Sequence, residues 1–132
     1  MTTQVTIESE LKRRMDLVEN PDFRKSCVEI AKKLKAKRLI FGTDIDGVYT
    51  ADPKKDSKAK LIDRLSISVM NKKTKIHGSL NTDVTGGMFG KIQEAGEAAR
   101  SGIEVLIVNA LKPDIIQNAL LGEKVKGTYI IP

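Results

Sequence analysis

Tryptophan is absent and the aromatic complement is three phenylalanines and two tyrosines, so any interior must be built from aliphatic side chains. With 132 residues, 40% of them hydrophobic, the chain can bury one modest core, and one domain is expected. A single cysteine, Cys27, excludes an internal disulfide. The one histidine, His77, falls in a polar stretch and reads as an ordinary loop residue. No apolar run approaches the roughly 18 residues needed to span a bilayer, so no membrane partner is expected. The opening MTTQVTIESE holds neither the basic nor the apolar region of a secretory signal, and a cytoplasmic protein is the expectation.

Cations are plentiful. Lys and Arg number 23 against 17 acidic residues, a net charge of +6 that suits nucleotides, RNA or an acidic protein surface, or else simply a well-solvated exterior. Residues 7–18 read as a charged helix carrying Lys12, Arg13 and Arg14. Asn20-Pro21 supplies a cap and a first-turn proline for a second helix over about 22–36, in which Cys27 is expected to be a core thiol in a stripe with Phe23, Ile30, Ala31 and Leu34. Residues 38–43 (RLIFGT) form a buried strand, residues 44–47 a turn, and Lys54 to Lys60 (KKDSKAK) a solvated loop. A strand over Leu65–Met70 and a partner over Lys75–Leu80 are expected next. A helix over about 88–100 ends at Gly102, a buried strand covers Glu104–Val108, a helix runs from Pro113 to Gly122, and the last strand is Gly127–Ile131. The chain has no internal repeat and no linker.

This alternation predicts an α/β fold with a mostly parallel sheet and helices on both faces, where ligands bind beyond the carboxyl ends of strands. Two stretches lie at such ends. Thr43-Asp-Ile-Asp-Gly47 leaves the first strand, although Asp44, Asp46 and Gly47 are also ordinary turn residues. Thr85-Gly86-Gly87-Met88 leads directly into a helix, whose free N–H groups and dipole suit a phosphate. Lys91, one turn into that helix, is a compact cation placed to bridge phosphate charges. A Gly-Gly before a helix is equally compatible with a plain turn.

Taken in order, the stretches Arg38-Leu-Ile-Phe-Gly-Thr-Asp-Ile-Asp-Gly-Val-Tyr-Thr-Ala-Asp-Pro53, Thr82-Asp-Val-Thr-Gly-Gly-Met-Phe-Gly-Lys-Ile92, Ser101-Gly-Ile-Glu-Val-Leu-Ile-Val-Asn-Ala110 and Gly122-Glu123 with Gly127-Thr128 resemble the C-terminal, nucleotide-binding half of the amino acid kinase family. Asp83-Val84-Thr85 tips the resemblance toward its archaeal isopentenyl phosphate kinase branch rather than the glutamate 5-kinases. The resemblance implies half of a three-layer sandwich. Residues 28–132 would form the nucleotide-binding lobe and residues 1–27 an N-terminal helical extension. It also implies ATP and Mg2+ as cofactors, with Thr43, Asp44, Gly47, Tyr49, Gly86, Gly87 and Lys91 at the nucleotide and Lys91 as the catalytic cation; no residue is assigned as a metal ligand. Tyr49 has an alternative reading as a packed ring with a wet hydroxyl. Gly42 stands where relatives usually carry an aliphatic residue, which should loosen the strand end and widen the pocket.

Members of this family also carry an N-terminal lobe with a glycine-rich loop, a further lysine and the acceptor site, and residues 1–27 resemble none of these. They read as a self-contained helical cap beginning at a natural Met1, which favours a native short protein. Two functions from different classes follow. In one, the chain is an ATP-binding lobe whose phosphoryl transfer to a small phosphate needs a complementary kinase lobe or a homo-oligomer, and which is inactive alone. In the other it is a non-catalytic descendant that docks on RNA, a ribosome or a protein through its basic surface.

Overall fold

The computed structural model describes residues 20–69 and 88–132. The first helix, α1, covers Pro21–Lys33. Asn20 caps it, its side-chain oxygen accepting the N–H groups of Asp22 and Phe23 at 2.9 and 3.3 Å, and Lys35 at φ 52° breaks it. The helix passes continuously through residues 27 and 28, where the sequence had suggested a change from extension to lobe. Strand β1 is Arg38–Thr43, β2 is the short Arg64–Ser66, and helix α2 runs Met88–Arg100, stopped by Gly102 at φ +88°. Strand β3 is Glu104–Asn109, helix α3 is Ile115–Leu120 and strand β4 is Thr128–Ile131.

The four strands lie in the order β1-β3-β4-β2. β1 and β3 pair in parallel, as do β2 and β4, while β3 and β4 run antiparallel, so the sheet is mixed and mostly parallel. Alternate residues along each strand serve opposite faces. On one face Val28 and Ala31 of α1 and Ile92, Ala95 and Ala99 of α2 share a core with Phe41, Val105, Ile107 and Ile130. On the other, Leu106 and Val108 meet Ile115 and Ala119 of α3. The result is the expected three layers, helix, sheet, helix.

Several expectations need correction. On α1 the buried positions are Arg24, Val28 and Ala31, whereas Phe23, Ile30 and Leu34 are exposed and Cys27 is half-buried, so the helix is turned about a quarter revolution from the stripe read in the sequence. Arg24 can take an inner position because it forms a buried ion pair with Glu94 of α2. Strand β2 stops at Ser66 and the chain turns helical at residues 67–69, because Ile67 is fully buried against Gly96, where an added Cβ would come within 2.5 Å of Ile67 Cγ1. Gly42 widens nothing: a Cβ there would lie 2.8 Å from Ala110 Cβ, so glycine admits close packing. Helix α3 begins two residues after Pro113, following Asp114 at φ 61°. The strand suggested over 75–80, together with His77, Gly86 and Gly87, lies outside the described residues.

Candidate functional site

The topology gathers the polar motifs at one end of the sheet. The carboxyl ends of β1 and β3 lie side by side, Thr43 opposite Asn109. β4 runs against β3 and therefore begins at that same end, with Thr128 opposite Ile107. Helix α2, which leads through a tight turn into β3, points its amino end the same way.

Thr43 closes β1 as a buried residue, its carbonyl accepting the Ala110 N–H at 2.8 Å and its hydroxyl lying 3.4 Å from Asp44 Oδ1. Asp44 itself is exposed. Two residues on, Asp46 is the hub of the site. Lys112 Nζ lies 2.9 Å from Oδ1, Lys126 Nζ 3.1 Å from Oδ2, Asn109 Nδ2 donates to Oδ1 at 3.3 Å, and the Tyr49 hydroxyl donates to Oδ2 at 3.5 Å. The hydrogen bond from Lys112, followed by those from Lys126 and Asn109, outweighs partial burial and holds the Asp46 carboxyl down at about 2. The same contact pushes the Lys126 ammonium above its ordinary value. One carboxylate thus fixes two lysines from distant loops, and each retains N–H donors on its exposed side.

The loop that carries Asp46 is pinned from below. Thr128 Oγ1 accepts the Val48 N–H at 2.9 Å and donates to the Ile62 carbonyl at 2.6 Å. A Cβ on Gly47 would come within 2.5 Å of that oxygen, so the missing side chain at Gly47 lets Thr128 approach. Tyr49 bridges to Leu61, and residues 48–50 and 60–62 pair through Ile62 N–H to Val48 C=O at 2.7 Å and Thr50 N–H to Lys60 C=O at 2.9 Å. Between them the expected solvated loop is present, its turns closed by Asp52 and Asp56, whose carboxylates accept the Lys54 and Lys58 N–H groups.

At the start of α2, Lys91 is buried, 3% exposed, three residues in from Met88. Beside Lys112 lies an open groove of about 630 Å³ with apolar walls from Ala110, Ile116, Leu120 and Leu121. Thr43, Asp44, Gly47, Tyr49 and Lys91 therefore share one end of the fold. Sequence reasoning treated Asp46 as a turn residue and passed over Asn109, Lys112, Lys126 and Thr128. The first three of these four are the partners that order Asp46, and Thr128 holds its loop; the one available signal was that Asn109 and Thr128 lie inside quoted motifs.

The same fold recurs among known proteins. A family model described as the amino acid kinase family matches residues 25–109. Isopentenyl phosphate kinase of Methanothermobacter thermautotrophicus is 50% identical over 98 residues, covering 74% of this chain and 36% of the relative. Glutamate 5-kinase of Photorhabdus laumondii is 41% identical over 91 residues, covering 68% of this chain and 24% of the relative. Among solved structures, an isopentenyl phosphate kinase superposes with a TM-score of 0.61 at 40% identity, over 82% of this chain and 36% of that one. The uridylate kinase of Archaeoglobus fulgidus superposes with a TM-score of 0.52 at 34% identity, over 81% of this chain and 45% of that one. This chain thus spans about a third or less of the length of these curated relatives. With the matched model covering more than half of the sequence, the chain belongs to the amino acid kinase family.

Proposed function

We propose that the chain is the ATP-binding lobe of a small-molecule phosphate kinase of the isopentenyl phosphate kinase type. The observation that carries this reading is the convergence at one sheet end of Thr43, Asp44, the lysine pair ordered by Asp46 and the amino end of α2 with Lys91. Such an end offers an anion oriented donors without requiring them to reorganise. The donor set fits a nucleotide: Lys112 and Lys126 present cationic N–H groups to a polyphosphate, and the groove beside Lys112 presents apolar walls to a base. Gly86 and Gly87 precede α2 in sequence and lie outside the described residues; the family resemblance assigns them to the phosphates. MgATP, when bound, supplies the transferable phosphoryl group, with the metal neutralising part of its charge. Mg2+ would enter with the nucleotide, held largely by its phosphates, as Mg2+ usually is in phosphoryl-transfer sites.

Lys91 provides a fixed positive charge in a low-dielectric setting, where it acts more strongly on a phosphate than a solvated lysine would. Phosphoryl transfer also requires an aligned acceptor, and the chain matches only 36% of the isopentenyl phosphate kinase length. The chain alone is therefore expected to bind nucleotide without phosphorylating isopentenyl phosphate. Calorimetric titration with MgATP tests the site. Lys91→Met, which keeps the aliphatic stem, and Lys112→Ala should each weaken binding about tenfold or more, since a hydrogen bond to a charged group contributes roughly 1.5–3 kcal/mol. No detectable heat for the parent chain, or equal affinity in all three proteins, would reject the assignment.

A further inference from the structure

Three charged residues, Arg24, Lys91 and Glu94, are buried where α1 lies along α2. The two helices precede the parallel strands β1 and β3 and run in the same direction, Arg24 meeting Glu94 and, farther along, Lys32 meeting Glu97 at 3.3 Å. The Arg24 N–H donates to the Asn20 carbonyl at 3.1 Å, so the capped start of α1 fixes its backbone. From there its Nε donates to Glu94 Oε2, and its Nη2 lies where a Cβ on Gly90 would come within 3.0 Å. Gly90 thus lets the guanidinium sit close against the first turn of α2. The guanidinium reaches from Gly90 to Glu94, past the turn that carries Lys91. At 3.6 residues per turn Gly90, Glu94 and Glu97 fall within about 60° of one another on the side of α2 that meets α1. Ile92, Ala95 and Ala99 serve the sheet side. Lys91 stands between the two sides, roughly 60° around the helix from Glu94 and one turn before it, a spacing at which a lysine and a glutamate readily pair.

We propose that Arg24 is a positioning residue for Lys91. By holding the Glu94 carboxylate toward α1 it keeps that carboxylate from pairing with the lysine one turn earlier, so the charge of Lys91 is not neutralised from within α2. The inference rests on the nucleotide reading above, because it concerns how that charge acts on a phosphate. A buried carboxylate without a partner is costly, and in a low-dielectric setting the cation that takes it is held strongly. Arg24 suits the task as a lysine would not, since its planar guanidinium stays charged and presents a fixed fork of donors, one of which holds Glu94 while another lies against Gly90. It also approaches from the neighbouring helix, which turns the carboxylate away from the flank of α2 on which Lys91 stands. With the guanidinium removed, the cation that α2 itself offers to Glu94 is Lys91. The pair thus does more than join two helices. It ties the capped start of α1 to the charge balance at the amino end of α2.

Calorimetric titration with MgATP of the parent, Lys91→Met, Arg24→Met and the variant carrying both, each held well below its melting temperature, forms the test cycle. Arg24→Met should weaken binding about tenfold, as Lys91→Met does, and adding Lys91→Met to it should cost less than about twofold more, because Glu94 has already taken the charge. Binding of adenosine, which has no phosphate, should be the same in all four proteins, whereas a merely structural loss would weaken both ligands. In a nucleotide-free crystal of Arg24→Met, the Lys91 ammonium should lie at hydrogen-bond distance from Glu94. Combining Arg24→Met with Glu94→Leu leaves no unpaired buried carboxylate and should return MgATP affinity to within about threefold of the parent. That combination decides the matter even where Arg24→Met alone does not fold, since a tenfold loss in it would overturn the proposal. Additive losses in the cycle, or parent-like affinity in Arg24→Met, would overturn it too and leave the nucleotide site standing. A parent chain that binds no MgATP would remove the site and the proposal together.

Discussion

Replacing Thr128 with valine keeps the shape of a fully buried side chain and deletes the hydroxyl that ties three segments together. In the native fold that oxygen accepts the Val48 N–H and donates to the Ile62 carbonyl, joining β4 to both strands of the loop that bears Asp46 and Tyr49. Each bond contributes a net of roughly 0.5–1.5 kcal/mol, and leaving the buried Val48 N–H without an acceptor costs about 1–3 kcal/mol. The expected loss is about 2–4 kcal/mol, which for a domain of this size lowers Tm by roughly 6–15 °C. Thr128→Ser retains the hydroxyl and gives up one methyl group, about 0.8 kcal/mol. Calorimetric melts of parent, Ser and Val variants separate the contributions, and MgATP affinity should fall in the Val variant alone because the Asp46 loop loses its anchor. Equal melts for Ser and Val would show that the hydroxyl is not what holds the loop, and the argument would fail.

Asp46→Asn should cost about 1–2 kcal/mol at neutral pH after allowance for screening at the two exposed lysines. Since the folded carboxyl sits near 2 against an ordinary 3.8, the difference from the parent should be full above about pH 5 and shrink as pH falls from about 4 to about 2, as urea melts at each pH would show. Gly42→Ala should destabilise by about 1–3 kcal/mol through the 2.8 Å approach to Ala110 Cβ, and Ala110→Gly in the same chain should recover most of it; additive losses would refute the clash. Arg24→Met, which strips the buried Glu94 of its guanidinium, should cost about 3–5 kcal/mol, and adding Glu94→Leu should restore a large part in thermal melts.

Where local chemistry determines an element, the sequence was a good guide. Strand β1 and helix α2 begin and end at the expected residues because Arg38–Thr43 is an aliphatic run closed by a turn and Gly102 can take a left-handed conformation that stops a helix. What escaped was decided by partners far along the chain. Phe23, Ile30 and Leu34 look like a core stripe until Glu94 is known to draw Arg24 inward. Asp46 looks like any turn aspartate, since neither Lys112 nor Lys126 sits in a motif or at a telling spacing. The reversal of β4 was equally hidden, because a helix between two strands normally implies a parallel pair, and here the six-residue α3 connects an antiparallel one.

Strand β3 lies between two neighbours, and residues 105–108 are almost wholly removed from solvent. Its amides should exchange with deuterium only through global unfolding, whereas residues 48–62, held by a few rungs around an exposed loop, should exchange through local opening. Asn109 and Lys112 extend from the slow element and Tyr49 from the fast one, with Asp46 linking them. The site therefore resembles a vice with one fixed jaw and one sprung jaw, and a bound polyphosphate would be expected to act first on the sprung side, slowing exchange around Val48 and Tyr49 while leaving Val105 to Val108 unchanged.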